Sequence, residues 1–168
     1  KVDAQGRHRY YSFANARVAY VVESLANLVS ENPVEQSGKQ VVKSGIKYCR
    51  TCYDHLAGYV GVTITNAMVE QEYLKEHDSV YHVTEEGWSW FSQFEIFEID
   101  FTKDRRPLTR QCLDWSERRP HLAGRLGAIF LEKMLQDGWF KKVEFSRELI
   151  VTSRGSKFLD DHLKIVLR

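Results

Sequence analysis

Two short stretches of this chain carry thiol, carboxylate and imidazole side chains in the same order. In each, an aspartate follows a cysteine by two positions and a histidine lies downstream of both. The residues are Cys52, Asp54 and His55 in the first stretch, and Cys112, Asp114 and His121 in the second. Together these groups suit a soft or borderline divalent metal, or a polar small-molecule effector. If the two stretches pack about a pseudo-twofold axis, all six side chains meet at one interface.

A second interpretation gives the same residues a structural role. In it the aspartates cap helices or form local ion pairs, and the histidines donate hydrogen bonds to backbone carbonyls. The nearby cations for such pairs are Arg50, Arg118 and Arg119. The sequence therefore commits to no cofactor, and a divalent metal remains one alternative, held by Cys52, His55, Cys112 and His121.

Cys49 and Cys52 form a Cys-x-x-Cys pair with His55 three positions further on. A lone pair of this kind is a weak sign of zinc, and on a helix His55 would turn away from the two thiols. Buried and chemically inert cysteine is the commoner role. A thiol redox switch at Cys49 and Cys52 is a further alternative, and it predicts the loss of two hydrogens under mild oxidant.

Motifs typical of enzymes are absent from the sequence. It has no glycine-rich phosphate loop, no nucleophile elbow and no His-Glu-x-x-His pair. Cys52 and His55 have no evident oxyanion hole and no orienting third group. We expect a protein that is not an enzyme.

The elements that position the candidate residues are duplicated in the sequence. The octet from His55 to Val62 returns from His121 to Ala128, and the segment from Val83 to Gly87 returns from Val151 to Gly155. The two histidines are 66 positions apart, and Thr84 and Thr152 are 68 apart. This matching order and spacing predict two supersecondary units of one plan.

Hydrophobic periodicity predicts a helix, a strand or hairpin, and a second helix in each unit. In the first unit the helical pattern begins at Ile46, residues 79–84 form a short strand, and Thr84 caps the next helix.

In the second unit Ser116 or Pro120 begins the long helix and Gly138 ends it. Two strands then meet at residues 146–147, and Thr152 begins the last helix.

Residues 1–30 predict a different arrangement. Gly6 to Phe13 alternates charged and aromatic residues, which indicates a strand leaving a hairpin whose first strand is missing. Asn15 then caps an amphipathic helix. The narrow apolar stripe of that helix packs on its own chain or forms a dimer interface. We predict a linker at 31–45, followed by one unit at 46–101 and another at 102–168.

Composition places the chain among globular proteins, with 43% hydrophobic and 28% charged residues. No apolar run approaches the ~18 residues of a membrane span, and three cysteines are too few for a disulfide framework. We expect a cytoplasmic protein without a membrane partner. Charge is uneven: residues 46–101 carry three Lys/Arg and ten Asp/Glu, whereas residues 102–168 carry fifteen and nine. Only the second unit would attract phosphate.

Three segments resemble the arsenic-repressor (ArsR-type) family of winged-helix transcriptional regulators. Gly6 to Ala14 resembles the second wing strand and the turn after it. Arg50 to Gly58 and Cys112 to Gly124 resemble the carboxy-terminal extension found in one branch of that family. The helix-turn-helix that would precede Lys1 and the family's Cys-x-Cys metal box are absent from this sequence.

The resemblance implies a dimeric repressor that binds operator DNA and releases it when an unidentified small effector binds. It implies a helix-rich α+β fold, with two tandem winged-helix-like repeats after a wing strand and a dimerisation helix. Arg7, His8 and Arg9 would then contact DNA from the wing. The alternative from another functional class is a ligand-free protein-interaction or dimerisation module.

Overall fold

The computed structural model describes residues 2–5, 8–11, 13–15, 17–18, 21–22, 25, 45–101 and 106–167. The chain divides into two compact units, Lys1–Ser37 and Gly38–Arg168. Within the described ranges, every helix is too short or too polar to cross a membrane.

The compact unit Lys1–Ser37 contains an antiparallel hairpin of β1 (Val2–Gln5) and β2 (His8–Tyr11). The prediction that the hairpin lacks its first strand is therefore wrong. Val2–Gln5 supplies that strand, and its four residues are too few for periodicity to reveal.

The predicted helix after this hairpin is described only in part. The Asn15 side chain accepts a hydrogen bond from the Val18 backbone N–H at 3.1 Å, which confirms the predicted cap. Positions 17, 18, 21, 22 and 25 are helical. The remainder of the predicted helix lies outside the described residues, as does the linker up to residue 44.

In the compact unit Gly38–Arg168 the same order of elements occurs twice: hairpin, helix, hairpin, helix. We call residues 46–101 the first repeat and residues 102–168 the second repeat. The first comprises β3 (Arg50–Cys52), β4 (His55–Ala57), α1 (Gly58–Glu70), β5 (Leu74–His77), β6 (Val80–Val83), α2 (Glu85–Ser92) and a 3₁₀ turn at Glu98–Phe101. The second comprises β7 (Arg110–Leu113), β8 (Pro120–Ala123), α3 (Gly124–Gln136), β9 (Phe140–Lys142), β10 (Leu149–Val151) and α4 (Ser153–Leu163).

The long helix of each repeat begins later than its sequence pattern predicts. The predicted starts at Ile46, and at Ser116 or Pro120, are wrong because a hairpin precedes each helix. Every residue of β4 is buried, and a continuous buried strand cannot be told from a helix by periodicity. Pro120 is the first residue of β8, a position where a strand tolerates proline.

Glycine marks the true start of both helices. Gly58 and Gly124 have φ of +80° and +86°, a left-handed conformation that other residues adopt only with strain. A Cβ at either position would also lie 2.8 Å from a backbone carbonyl oxygen. The duplicated glycines therefore allow a sharp turn from strand into helix.

The two repeats interlock through their secondary structure. Helix α1 of the first repeat packs on β8 of the second, α3 packs on β4, and β4 lies beside β8. At the edges, the Thr51 N–H donates to the Arg147 carbonyl and the Gln111 N–H donates to the Ser79 carbonyl, both at 2.8 Å. These contacts interchange when the repeats are exchanged, so a pseudo-twofold axis relates the repeats. We call the surface between them the seam.

Both repeats contribute to one hydrophobic core. Trp90 packs edge-on against Phe130, and Phe94 packs edge-on against Trp139. Trp139 in turn stacks on Phe158 with ring centroids 3.6 Å apart. The seam is therefore part of the interior of a single compact unit.

Candidate functional site

Each repeat places a cysteine opposite a histidine on its first hairpin. Cys52 of β3 pairs with His55 of β4, and Cys112 of β7 pairs with His121 of β8. Side chains directly opposite one another in an antiparallel pair lie on the same face of the sheet. Spacings of three and nine residues thus give the same local geometry, because the loop between the strands is longer in the second repeat.

The pseudo-twofold axis brings these two pairs together across the seam. Their four ligand atoms all lie within 4.8 Å of one another. The sulfur atoms of Cys52 and Cys112 are 3.9 Å apart, and Nε2 of His55 is 3.2 Å from Nε2 of His121. Three of the four side chains are buried and Cys112 is half-buried. We call this group the Cys–His cluster; its members are Cys52, His55, Cys112 and His121.

The remaining two predicted site residues flank the cluster. Asp54 Oδ1 lies 3.2 Å from Nδ1 of His55, and Asp114 Oδ2 lies 3.5 Å from Nδ1 of His121. Each carboxylate thus faces the ring nitrogen directed away from the cluster centre. The structure brings together all six residues that the duplicated pattern singles out.

Arginines from the opposite repeat neutralise both aspartates. Arg50 of the first repeat donates to Asp114 of the second at 2.7 Å, and Arg106 of the second donates to Asp54 of the first at 3.0 Å. The predicted local pair of Arg50 with Asp54 is wrong, because Arg50 crosses the seam to Asp114. The partners are 64 and 52 residues apart in sequence.

Asp114 also organises the backbone on both sides of the seam. Its Oδ2 accepts the Gly58 N–H at 2.7 Å, which caps the first turn of α1 from the other repeat. Its Oδ1 accepts the N–H groups of Ser116 and Glu117. The predicted capping role of this aspartate is thus confirmed. The histidines, in contrast, face each other and not backbone carbonyls.

Burial and neighbouring charges shift the aspartate pKa values. Burial alone would raise the pKa of Asp114, but the Arg50 guanidinium and the hydrogen bond from Ser116 outweigh it and hold the pKa at about 2. Burial opposes ionisation of Asp54 as well, yet hydrogen bonds from His55 and Arg106 lower its pKa to about 2. Both carboxylates are therefore anions near neutral pH.

The pKa values of Cys52 and of the two cluster histidines shift in different directions. The neighbouring Cys112 sulfur, together with burial, raises the pKa of Cys52 to about 11. Burial lowers the pKa of His121. Burial also disfavours the cation of His55, but contacts with Asp54 and Cys52 raise its pKa overall. A thiol with a raised pKa is a poor nucleophile at neutral pH unless a cation displaces its proton.

The remaining candidates lie elsewhere. Cys49 belongs to the hydrophobic core, where burial raises its pKa, and the sulfur that Cys52 meets is that of Cys112. Arg7 lies outside the described residues. His8 and Arg9 lie on β2, opposite Gln5 and Ala4.

Sequence reasoning missed Arg106 and Thr65, which help to build the seam, and it named Arg50 only as a local partner for an aspartate. The guanidinium carbon of Arg50 lies 4.6 Å from the ring centre of Trp115, a cation–π contact, in addition to its ion pair. Thr65 of α1 accepts the N–H of Leu122 in β8 at 2.9 Å. The duplication could not have supplied these partners, because the residues of the second repeat equivalent to Arg50 and Thr65 are Arg110 and Leu131.

The arrangement suits binding more than catalysis. Four ligand atoms converge and two carboxylates orient the imidazoles from behind, which is the pattern of a closed metal site. Catalytic metal sites differ in keeping one coordination position for water or substrate.

The chain is similar to the uncharacterized HTH-type transcriptional regulator YdfF of Bacillus subtilis (strain 168). The two sequences are 40% identical over 164 residues, which cover 98% of this chain and 73% of that protein. No family profile matches the chain, and no solved structure matches it.

Proposed function

Because this chain belongs to the family of HTH-type transcriptional regulators, we propose that it is the dimerisation and effector-sensing region of a DNA-binding repressor. The repressor acts in the cytoplasm as a homodimer of the ArsR type. Its carboxy-terminal extension consists of two winged-helix-like repeats, and it catalyses no reaction.

One observation carries the sensing role: six side chains able to bind a metal or a polar ligand converge at the seam between the repeats. A ligand there contacts both repeats at once, since each contributes a cysteine, a histidine and an aspartate. Ligand binding can therefore change how the repeats pack. A coupling free energy of about 1–3 kcal/mol between the seam and the DNA-binding heads would lower operator affinity about 5- to 150-fold.

The burial of α1 and α3 supports the assignment of DNA contact to the wing and not to these helices. Both helices carry core residues where a reader helix would expose polar side chains; Val60 and Leu126, for example, are fully buried. DNA contact then belongs to the wing, where Arg7, His8 and Arg9 meet phosphates or enter the minor groove.

DNA binding is tested with the protein encoded by the complete reading frame, by fluorescence anisotropy on its own promoter DNA. Replacing both wing arginines (R7A/R9A) should weaken binding to all sequences alike. It should also reduce the slope of log affinity against log salt by about two, one for each phosphate contact. The matched control is R154A, on the exposed side of α4, which should leave the slope unchanged. An unchanged slope for R7A/R9A would show that the wing does not contact phosphate.

Effector sensing is tested separately, by calorimetric titration of the same protein with a panel of metals and metabolites. Binding of one ligand that also lowers operator affinity supports the proposal. Absence of binding across the panel, with an intact dimer, favours a ligand-free dimerisation module.

A further inference from the structure

We propose that the Cys–His cluster binds one zinc ion, with the two thiolates and the two Nε2 atoms as its ligands. The ion would join β4 of the first repeat to β8 of the second. This deepens the proposed function and, for its regulatory meaning, rests on it, because it names the chemical class of the ligand at the seam.

Two of the distances between the ligand atoms match those of a tetrahedral zinc site. Two sulfurs bound to zinc at ~2.3 Å lie about 3.8 Å apart at the tetrahedral angle, and two nitrogens bound at ~2.0–2.1 Å lie about 3.3 Å apart. The corresponding distances in the cluster are 3.9 Å and 3.2 Å. Sulfur–nitrogen distances in such a site are about 3.6 Å. The four ligand atoms here lie within 4.8 Å of one another, so zinc binding would draw the side chains together by up to about 1 Å.

The hydrogen-bonding pattern of the histidines calls for a cation between them. Each Nδ1 faces an ionised carboxylate, so each imidazole is best placed as a donor at Nδ1. Two neutral rings in that tautomer present two lone pairs to each other at 3.2 Å, which is repulsive. Among the described residues Nδ1 of His121 has no hydrogen-bond partner within normal geometry. A metal held by both Nε2 atoms fixes this tautomer and draws each Nδ1–H toward its aspartate.

Charge is balanced if zinc is the ion. Binding replaces the thiol protons of Cys52 and Cys112, so Zn²⁺ enters as two H⁺ leave and the centre stays formally neutral. The two aspartates behind the histidines are already paired with Arg50 and Arg106. A neutral centre avoids the large cost of burying net charge.

The ligand set selects the metal. Mg²⁺ and Ca²⁺ prefer oxygen ligands, whereas a tetrahedral set of two sulfurs and two nitrogens is typical of zinc. All four positions are filled by the protein, so the ion would act as a structural or sensing centre and not as a catalyst. Its effect would be to pin the seam, because each repeat supplies half of the ligands.

The first test is direct and uses the unaltered 168-residue chain, purified without chelator. Elemental analysis should find one zinc per chain. After zinc removal, titration with Co²⁺ should give the visible bands of tetrahedral cobalt and a thiolate-to-cobalt charge-transfer band, saturating at one equivalent. A metal-free chain that gives no tetrahedral cobalt spectrum while folded by circular dichroism would overturn the proposal, leaving a proton shared between His55 and His121.

Variants assign the ligands. C112S and H121Q should each abolish stoichiometric zinc, whereas C49A and H82Q, at a cysteine and a histidine outside the cluster, should keep it. C112H should retain cobalt binding with a weaker charge-transfer band, a change that a merely structural cysteine would not cause. Loss of metal in the two control variants as well, with the fold intact, would overturn the assignment.

A further variant tests the carboxylates without disturbing a buried ligand. D54N should weaken zinc affinity about 10- to 100-fold, measured by competition with a chromogenic chelator, because Asp54 orients His55. D161N, on an exposed turn of α4, is the matched control and should leave affinity unchanged. Equal affinities for D54N and the unaltered chain would contradict the orienting role.

Failure of this inference can be told from failure of the proposed function. Zinc bound at one equivalent, with operator affinity identical in zinc-loaded and zinc-free protein, would establish the site and refute zinc sensing. A folded chain that binds no metal, whose operator affinity still responds to another ligand, would refute the site and leave effector sensing standing.

Discussion

At the scale of single residues, the most consequential group is the Asp114 carboxylate. It is fully buried, and its ion pair with Arg50 is buried on both sides. Burying two charges has a large desolvation cost, which is recovered only when hydrogen bonds satisfy both partners. Asp114 accepts from Arg50, Gly58, Ser116 and Glu117, so its charge is well compensated. One side chain thereby links a strand, a helix start and a loop from both repeats.

We expect D114N to lower the free energy of unfolding by about 3–5 kcal/mol, because it leaves the Arg50 guanidinium buried and uncompensated. The measurement is urea unfolding at neutral pH, with chelator present in all samples so that metal binding does not contribute. D161N removes an exposed pair with Lys157 and should change stability by less than about 1 kcal/mol. If the two variants lost equal stability, the buried pair would have no special role.

At the scale of secondary-structure elements, the seam is held by backbone groups as well as by charges. The Leu122 N–H of β8 points out of its own hairpin and donates to Oγ1 of Thr65, whose hydroxyl in turn donates to the Gly61 carbonyl. Thr65 is 2% exposed. A buried N–H that loses its acceptor has no water to replace it.

We therefore expect T65V, which preserves shape, to reduce the free energy of unfolding by about 1–3 kcal/mol. Thr63 offers a matched control on the same helix, since its hydroxyl donates only to the Tyr59 carbonyl within α1. T63V should cost less than about 0.5 kcal/mol, because that carbonyl belongs to the helix ladder. Thermal or urea unfolding of the two variants side by side decides the matter. A larger loss for T63V would contradict the role assigned to the seam bond.

The same scale shows what sequence alone could predict. The threonine caps were predictable because the signal is local: Thr84 accepts the Gly87 N–H and Thr152 the Gly155 N–H, each three residues away. The glycine at the third position is also required, since a Cβ on Gly155 would lie 2.0 Å from the Trp139 carbonyl oxygen. The duplicated Thr-x-x-Gly element records both constraints.

The first hairpin of each repeat was harder to predict. Because β4 is buried on both faces, it lacks the alternation that distinguishes a strand from a helix. The candidate site followed from the repeated cysteine, aspartate and histidine, yet the pairing of Arg50 and Arg106 across the seam did not. Arg50 and Arg106 act across the seam, and periodicity carries no information about contacts between residues more than fifty positions apart.

At the scale of the whole compact unit, the two repeats are complementary in charge as well as in shape. The first repeat carries an excess of acidic residues and the second an excess of basic ones. Ion pairs cross between them at Arg50–Asp114, Arg106–Asp54 and Lys133–Glu95. Opposite charge excesses favour association of the repeats with each other over association of like copies.

The shared core gives this interdependence a thermodynamic consequence. Met68 in α1 and Met134 in α3 occupy equivalent positions, and both are buried within the joint core. If neither repeat retains a core without the other, the two must unfold together. A substitution that destabilises one repeat should then lower the free energy of opening of the other repeat by the same amount.

Native-state hydrogen exchange can measure whether the two repeats unfold together. M68A should remove about 2–5 kcal/mol from the free energy of opening, and it should do so equally for the most protected amides of α1 and of α3. M134A is the reciprocal variant and should give the same pattern, since exchanging the repeats exchanges the two sites. If M68A lowered protection only in the first repeat and M134A only in the second, the repeats would be independent folding units, and a ligand at the seam could not act on both through their packing.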